Sequence, residues 1–460
     1  MIQKRSRFYY YCIALAFTLG FCFRLNWLLT HTETLPVVWT DEFSYYISSA
    51  INAFRGHGFV PDYNKTAGEV FVPPPMQSIF ILFFYEVFNR VINPFWLKLV
   101  QVVLNCGALT LLLPEIVRRI YSEKAALVCS FASAIFPPFV HWPSYLMTES
   151  NYLVGLTILI WLIMRWVDDR KLSDAVLVGG CLGLLNLQRG NAFFLGIVLA
   201  IFGLWFIEGK AKFKHAAVLI ILPYLVMAPW FIRNLNKYGD PVWVSSHDGI
   251  MFHFANRITL DSRKVYYWEI MWAIEKPGPF LPQIESEFRD QRKVLPSEFD
   301  VGALNLAHGG QYHPLKVTAY RYSEAYYRVA KNYIFHHPFH FLRNYFYKGI
   351  NQFVLRQDIP RFSVPFLSDK MVYSALHWFV LLAGLFGFAW SLFCTSRMSL
   401  KVFCLIFLYF SFMGAFFHLT ADGRMNLFLK EFLIVFLSIA LTPDVKKCGF
   451  SKWLANRSQK

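Results

Sequence analysis

Charged residues are scarce in this chain. Asp, Glu, Lys and Arg make up 16% of its 460 residues, whereas 56% are hydrophobic. Soluble domains typically carry about 25% charged residues. Together with a mean hydropathy of +0.38, the low charge content excludes a soluble globular protein.

The sequence also lacks the spacing of a disulfide framework or a metal site. None of its eight cysteines falls in a long polar loop, so no zinc or disulfide pattern is offered. The pair His336-His337 is best explained as ordinary loop residues, and there is no glycine-rich nucleotide loop. We therefore expect no metal ligands and no cofactor. The cysteines are Cys12, Cys22, Cys106, Cys129, Cys181, Cys394, Cys404 and Cys448.

Long apolar runs are what the chain has instead. Several approach the roughly 20 residues that a helix needs to cross a bilayer. Because lipid cannot satisfy backbone polar groups, spanning segments of this kind are helical. The composition predicts an all-α polytopic membrane protein. The formal net charge of +16 then indicates basic cytoplasmic loops and anionic lipid or phosphate ligands rather than nucleic acid.

Basic clusters predict the orientation of the helices. Lys4, Arg5 and Arg7 precede the first apolar run, which places its start in the cytoplasm. No small-residue cleavage site follows, so we expect an uncleaved helix. If a second, short apolar stretch at about 76–88 does not cross, every later basic cluster is also cytoplasmic. This predicts about ten spans, within nine to twelve, with both ends inside. They lie at about 8–30, 96–117, 124–142, 150–166, 174–188, 191–208, 215–234, 371–394, 401–419 and 426–442.

The predicted spans divide the chain into three parts. Residues 1–234 form a transmembrane module that includes a first external loop, 31–95; residues 235–370 form an external region with amphipathic helices; residues 371–460 form the last helices and a basic tail. In the first loop, Thr40 is a candidate N-cap for a short surface helix that Gly56, Gly58 and Pro61 end. The stretch at 76–88 is expected to be interfacial or re-entrant.

Two adjacent carboxylates, Asp41 and Glu42, follow the first span, where lipid should end and water begin. One reading is a helix-capping pair that complements the helix dipole. The other is catalytic: a carboxylate at this boundary can take a proton from a hydroxyl or amine that attacks a sugar carbon. Glu42, elsewhere on the turn, would orient a ligand.

Other ionisable residues are expected on the same face. Glu149 starts a membrane helix, either as an ordinary acid after a Thr148 cap or as a second site carboxylate. Arg189 lies between two apolar helices, either reaching lipid headgroups or serving a site. Arg233 suits a phosphate by bidentate hydrogen bonding, or is an interfacial anchor.

Further polar residues extend the predicted site. His247 and Asp248 could pair with one another, or form an ordinary turn. Lys65, Lys348 and Arg424 each lie in or beside an apolar external segment. Singly, contact with lipid headgroups explains each of them. Together they make an anion pocket plausible.

These residues, in this order, resemble the GT-C glycosyltransferases that use polyprenyl-phosphate sugars. That group includes the protein O-mannosyltransferases and the lipid A aminoarabinose transferases, and the match is closest to bacterial relatives of the family 39 and family 83 type. The resemblance covers most of the chain. The motifs are Asp41-Glu42-Phe43-Ser44-Tyr45, Gly56-His57-Gly58-Phe59, Pro74-Pro75-Met76, Thr148-Glu149, Gln188-Arg189-Gly190, Ala228-Pro229-Trp230-Phe231-Ile232-Arg233-Asn234, Val244-Ser245-Ser246, Asp248-Gly249, Asn256 and Arg424-Met425-Asn426-Leu427.

The resemblance implies inverting transfer from a lipid-linked sugar on the extracytoplasmic side of the inner or plasma membrane, with Asp41 as the general base. The acceptor would be a cell-envelope glycan, lipid or protein. Substrate binding is then assigned to Glu42, Tyr45, Glu149, Arg189, His247, Asp248 and Asn256. Donor-phosphate binding is assigned to Lys65, Arg233, Lys348 and Arg424.

The chain departs from the family pattern at two motifs. Gln188-Arg189-Gly190 replaces a Thr-Arg-Pro type of sequence, and the run from Ser245 to Gly249 replaces a Ser-Thr-Asn-Gly-Gly type. The typical substrate of the family is therefore not assumed.

Three other functions fit part of the pattern. A surface-polysaccharide polymerase or ligase would share the basic external loop but need no carboxylate after the first helix. A lipid-linked oligosaccharide transporter would place charges along mid-membrane helix faces, often in related halves. A non-enzymatic scaffold would not need ionisable groups gathered on one face.

Overall fold

The computed structural model describes residues 7–31, 42–61, 72–87, 94–246, 370–394, 397–417 and 427–443, with isolated residues between 252 and 346. The described residues form helices and contain no strand, which confirms the all-α prediction. The amphipathic helices expected within 235–370 lie largely outside the described residues, and so does the basic tail.

The first half of the chain alternates long helices with short ones. The long first helix is followed by two short loop helices and then by a helix that continues through a π-helical turn. These elements are α1 (Arg7–His31), a π-helical segment (Glu42–Ile47) that runs into α2 (Ser48–Phe54), α3 (Pro75–Val87), α4 (Pro94–Gly107), a second π-helical segment (Ala108–Leu112) and α5 (Leu113–Ile120).

The remaining helices complete the bundle. They are α6 (Glu123–Ile135), α7 (Pro137–His141) with a 3-10 turn (Trp142–Ser144), α8 (Thr148–Asp169), α9 (Leu172–Gln188) with a 3-10 turn (Gly190–Ala192), α10 (Leu195–Phe206), α11 (Ala211–Tyr238), α12 (Lys370–Cys394), α13 (Met398–Phe417) and α14 (Leu427–Leu441). Where they can be compared, the predicted spans coincide with these helices to within a few residues, apart from one break.

The break falls inside the span predicted at about 124–142. Helix α6 ends at Ile135, and the chain turns by 62° into α7 and its 3-10 turn. Pro137 and Pro138 cannot donate the hydrogen bonds that a continuous helix requires. The carbonyl oxygens that therefore lack a backbone donor accept hydrogen bonds from buried Arg24 of α1, which donates to Ser133 O at 3.1 Å and to Ala134 O at 3.3 Å. The prediction of one continuous span at about 124–142 was therefore wrong.

Among the described residues, five helices are long and apolar enough to cross a membrane, or six if the bent pair is one span. Four shorter apolar helices accompany them, at Pro75–Phe84, Leu172–Gln188, Gly190–Phe206 and Met398–Gly414. The protein is thus a multi-pass membrane protein, and the count of about ten spans stays a prediction.

The two ends of the bundle differ in chemistry. At one end, Arg119 pairs with Asp168 at 2.6 Å, and Arg397 donates to Arg119 O at 3.3 Å. Arg165 pairs with Asp174 at 2.9 Å where α8 meets α9. Arg119, Arg165 and Arg397, which were predicted to lie on one side of the membrane, therefore do lie at one end of the helix bundle. We call the opposite end, where α8 begins and α9 and α11 finish, the loop end.

Aromatic packing holds the last three helices together. Phe403 of α13 lies 5.0 Å from Phe432 of α14, and Phe388 of α12 lies 5.2 Å from Phe436, between ring centroids. A Cβ at Gly387 would collide with the carbonyl oxygen of Phe436, so glycine is what lets α12 approach α14. This core supports the helices whose ends form the site.

Candidate functional site at the loop end

A buried ion pair joins the beginning of α8 to the end of α9. Arg189 Nη1 lies 3.1 Å from Glu149 Oε1, with side chains only 12% and 5% exposed. Thr148 does not cap α8: the N-cap residue is Met147, and the Thr148 hydroxyl donates to Glu149 Oε2 at 3.2 Å. The readings of Thr148 as a cap and Arg189 as a headgroup anchor were therefore wrong. Sequence reasoning had selected both charged residues but not their pairing.

Three amide side chains lie beside this pair. Gln77 Oε1, on α3, accepts from Asn151 Nδ2 of α8 at 3.0 Å and from Gln188 Nε2 of α9 at 2.8 Å. Gln188 Nε2 also donates to Thr148 O at 3.2 Å. The cluster fixes α3 against the two helices that carry Glu149 and Arg189.

Arg233 lies near the end of α11, where it contacts the first loop. Its Nη2 donates to Phe59 O at 3.3 Å and its Nη1 to Asn234 Oδ1 at 2.6 Å. The guanidinium carbon lies 4.8 Å from the Trp230 ring centroid and 5.3 Å from that of Tyr238. These ring faces hold the guanidinium in place while leaving it cationic.

Lys237 stands one turn beyond Arg233 on the same helix face. Its Nζ donates to His57 O at 3.3 Å, so two cations hold carbonyls on either side of Gly58. Asn52 of α2 secures that turn: its side chain donates to Val60 O at 2.7 Å. In the described part of the chain, neither Arg233 nor Lys237 forms an ion pair with a carboxylate.

An apolar cluster joins the cation pair to the ion pair. Val72, just before α3, and Leu187, beside Gln188, pack in the same cluster as Trp230 of α11. Ser246 then fastens the segment after α11: its Oγ accepts from Val72 N at 3.0 Å, and its N–H donates to Val72 O at 3.1 Å. The loop end thus gathers residues from α2, α3, α8, α9 and α11.

The predicted site residues divide into two groups. Tyr45, Glu149, Arg189 and Arg233 are at the loop end; Tyr45 is half-buried beside Tyr46. Glu42 begins the first π-helical segment, directly after Asp41. The other predicted residues lie outside the described residues: Asp41, Lys65, His247, Asp248, Asn256, Lys348 and Arg424.

Two residues were missed by sequence reasoning although the sequence carried signals for them. Lys237 follows Arg233 by four residues, the spacing that places two side chains on one helix face. Gln77 is a polar residue inside the short apolar stretch that follows three prolines. Among the described residues, no three His, Cys, Asp or Glu side chains come together as a metal site.

Gly58 offers a test of the cation pair. It has φ +76°, and a Cβ there would lie 3.4 Å from Lys237 Nζ and 3.6 Å from Arg233 Nη2. We expect Gly58→Val to displace both cations and to weaken binding of the lipid phosphate that the resemblance implies about tenfold. Gly56→Val is the control, because Gly56 has φ +80° but nothing within 4 Å of its Cβ position. Equal losses in the two variants would mean that backbone strain, not the cations, sets the affinity.

Residues 72–232 match the family model of dolichyl-phosphate-mannose-protein mannosyltransferases. The match covers about a third of the chain, so over that stretch the chain is similar to this family of glycosyltransferases. The matched segment contains Gln77, Glu149 and Arg189, and it ends at the residue before Arg233. Asp41 precedes it.

Two solved structures resemble the chain weakly. The crystal structure of ArnT from Cupriavidus metallidurans bound to undecaprenyl phosphate has a TM-score of 0.38 and 13% sequence identity, over 94% of this chain and 77% of that one. The apo state of the same protein gives a TM-score of 0.39 and 14% identity, over 93% and 76%. At these values the likeness does not locate a substrate. A search among curated protein sequences found no match.

Proposed function

We propose that this glycosyltransferase moves a sugar from a polyprenyl-phosphate donor to a glycan, lipid or protein of the cell envelope. The observation that carries the proposal is the pair Arg233 and Lys237, held over the Gly58 turn without a carboxylate partner in the described part of the chain. The family match to residues 72–232 supports the same class of donor.

The cation pair suits a lipid phosphate for three reasons. A guanidinium presents paired N–H donors that fit phosphate oxygens, and an ammonium adds a second charge. The two side chains now donate to His57 O and Phe59 O, and a phosphate can replace such carbonyl acceptors. The site also lies at one end of the bundle, where a lipid-borne headgroup arrives from the membrane.

The proposed chemistry is a single displacement. The acceptor hydroxyl or amine attacks the anomeric carbon from the face opposite the phosphate, so the configuration inverts. The new bond to the acceptor forms as the bond from carbon to phosphate oxygen breaks, and polyprenyl phosphate leaves with the electron pair. Arg233 and Lys237 stabilise the developing charge. Asp41, directly before the helical segment that starts at Glu42, takes the acceptor proton.

The donor phosphate should depend on Arg233 for its affinity. A hydrogen bond to a charged group is worth about 1.5–3 kcal/mol, so we expect Arg233→Met to weaken binding of undecaprenyl phosphate roughly 10- to 150-fold. Lys212→Met is the matched control, because Lys212 lies in the first turn of the same helix at the opposite end. Unchanged binding by the Arg233 variant would remove it from the phosphate site.

A reconstituted transfer assay tests the proposed function. Protein in liposomes is given undecaprenyl-phosphate-linked sugars or nucleotide sugars, together with a cell-envelope extract as acceptor. We expect sugar transfer, with release of undecaprenyl phosphate, from the lipid-linked sugars and not from the nucleotide sugars. Transfer from nucleotide sugars would contradict the proposal. Movement of intact lipid-linked oligosaccharide across the bilayer would favour a transporter. Sugar transfer that does not depend on Asp41 would favour a polymerase or ligase.

The side of the membrane forms part of the proposal. The basic end of the bundle carries Arg119, Arg165 and Arg397, and positively charged segments favour the cytoplasm. The loop end is then the periplasmic or exterior face of the inner or plasma membrane. A polyprenyl-linked donor and a cell-envelope acceptor meet on that face.

A further inference from the structure

Gln77 is one of several buried polar residues with a side-chain atom that has no hydrogen-bond partner among the described residues. It is completely buried, and its amide oxygen accepts two hydrogen bonds, from Asn151 and Gln188. Its amide nitrogen has no hydrogen-bond partner within the part of the chain that the structure describes. An unsatisfied buried donor costs about 1–3 kcal/mol, so such a group calls for a function.

The two accepted hydrogen bonds fix the plane of the Gln77 amide. One donor lies two residues after Glu149 on α8, and the other directly precedes Arg189 on α9. The amide of Gln77 is therefore held by residues of both helices that carry the ion pair. Ser78, the next residue, donates to Tyr46 O at 3.1 Å and fixes α3 against the segment that begins at Glu42.

The surroundings favour a neutral hydroxylated ligand over an anion. The ion pair of Glu149 and Arg189 carries no net charge to attract a phosphate, whereas carboxylates and amides together accept from and donate to hydroxyl groups. The cations proposed for the phosphate, Arg233 and Lys237, are also at the loop end, and one apolar cluster contains Val72, Leu187 and Trp230.

We propose that Gln77 is a sugar-recognising residue whose amide N–H donates a hydrogen bond to an oxygen of the donor sugar. Gln188 and Asn151 are positioning residues that hold this amide. The inference rests on the proposed function and adds a subsite that binds the donor sugar. It also gives a role to Gln188, which departs from the Thr-Arg-Pro pattern of the family that the chain resembles.

The test compares two lipids on the full-length protein. Undecaprenyl phosphate probes the phosphate site alone, and undecaprenyl phosphates that carry a hexose, an N-acetylhexosamine or a pentose probe both sites. The measured quantity is the ratio of the two affinities. We expect Gln77→Met to lower this ratio roughly 2- to 12-fold, because one neutral hydrogen bond contributes about 0.5–1.5 kcal/mol. Affinity for the bare lipid phosphate stays unchanged.

A further variant separates recognition from folding. Gln101→Met removes another completely buried glutamine, which donates to Pro143 O and Tyr145 O, and should leave the ratio at the wild-type value. Elution volume and thermal unfolding report on the fold of each variant.

The outcomes distinguish this inference from the proposed function. A wild-type ratio in Gln77→Met would show that Gln77 is only structural and would overturn the inference. Equal wild-type affinity for the bare lipid and every sugar-bearing lipid would also overturn it, while leaving the phosphate site intact. Failure of the wild type to bind either lipid would overturn the proposed function and this inference with it.

Discussion

The Asp41→Asn variant is expected to lose about 10²–10⁴-fold of its transfer rate, the usual contribution of a general base. Asparagine has nearly the same shape as aspartate but cannot accept the proton of the attacking acceptor. Because Arg233 and Lys237 hold the donor phosphate in the proposed mechanism, binding of undecaprenyl phosphate should stay at its wild-type value. Initial rates in liposomes and equilibrium binding of the lipid, measured on the same preparation, check both parts.

Asp168→Asn is a suitable control for that experiment. Asp168 pairs with Arg119 at the basic end of the bundle, away from the loop end. Its loss should leave transfer near the wild-type rate. Transfer by Asp41→Asn at more than about a tenth of the wild-type rate would remove Asp41 from the role of base.

The ion pair of Glu149 and Arg189 is expected to give the second large effect. Removing one partner leaves a buried charge without its ion-pair partner, which costs about 3–5 kcal/mol of unfolding free energy. We therefore expect Arg189→Met to be strongly destabilised, and the double variant Glu149→Gln with Arg189→Met to recover much of that loss. Denaturant unfolding in detergent micelles measures the difference. Transfer should not recover in the double variant, because the charges beside Gln77 are missing.

An exposed ion pair serves as the control for the stability loss at the buried one. Arg118 and Glu115 lie 2.6 Å apart, but their side chains are 26% and 28% exposed, and such pairs contribute about 0–1 kcal/mol. Arg118→Met should therefore cost little. Additive losses for Glu149 and Arg189, with no recovery in the double variant, would contradict the description of a coupled buried pair.

The helices were predictable because apolar length and flanking charge are local properties of the sequence. Apolar runs located α8 and α11 to within a few residues, and three prolines with a short apolar run located α3. The bend after Ile135 was missed because hydropathy does not register geometry. Pro137 and Pro138 signalled it, but the partner of the open carbonyls, Arg24, lies more than one hundred residues earlier in the chain.

The site was predictable as a list of residues and not as a set of contacts. Glu149 and Arg189 were each selected because a charge at a membrane boundary is costly, yet their pairing depends on how α8 packs against α9. Gln77 was overlooked because its only signal, a polar residue inside a short apolar stretch, matches no motif. Its importance appears only where α3, α8 and α9 meet.

The central claim is that Asp41 and Arg233 face one extracytoplasmic cavity, and paired cysteines test it most directly. Asp41→Cys and Arg233→Cys are combined in an active variant without the native cysteines, and intact cells are treated with a membrane-impermeant bifunctional maleimide. We predict that both positions react from outside and become cross-linked to one another. Labelling of the two positions from opposite sides of the membrane would contradict the account.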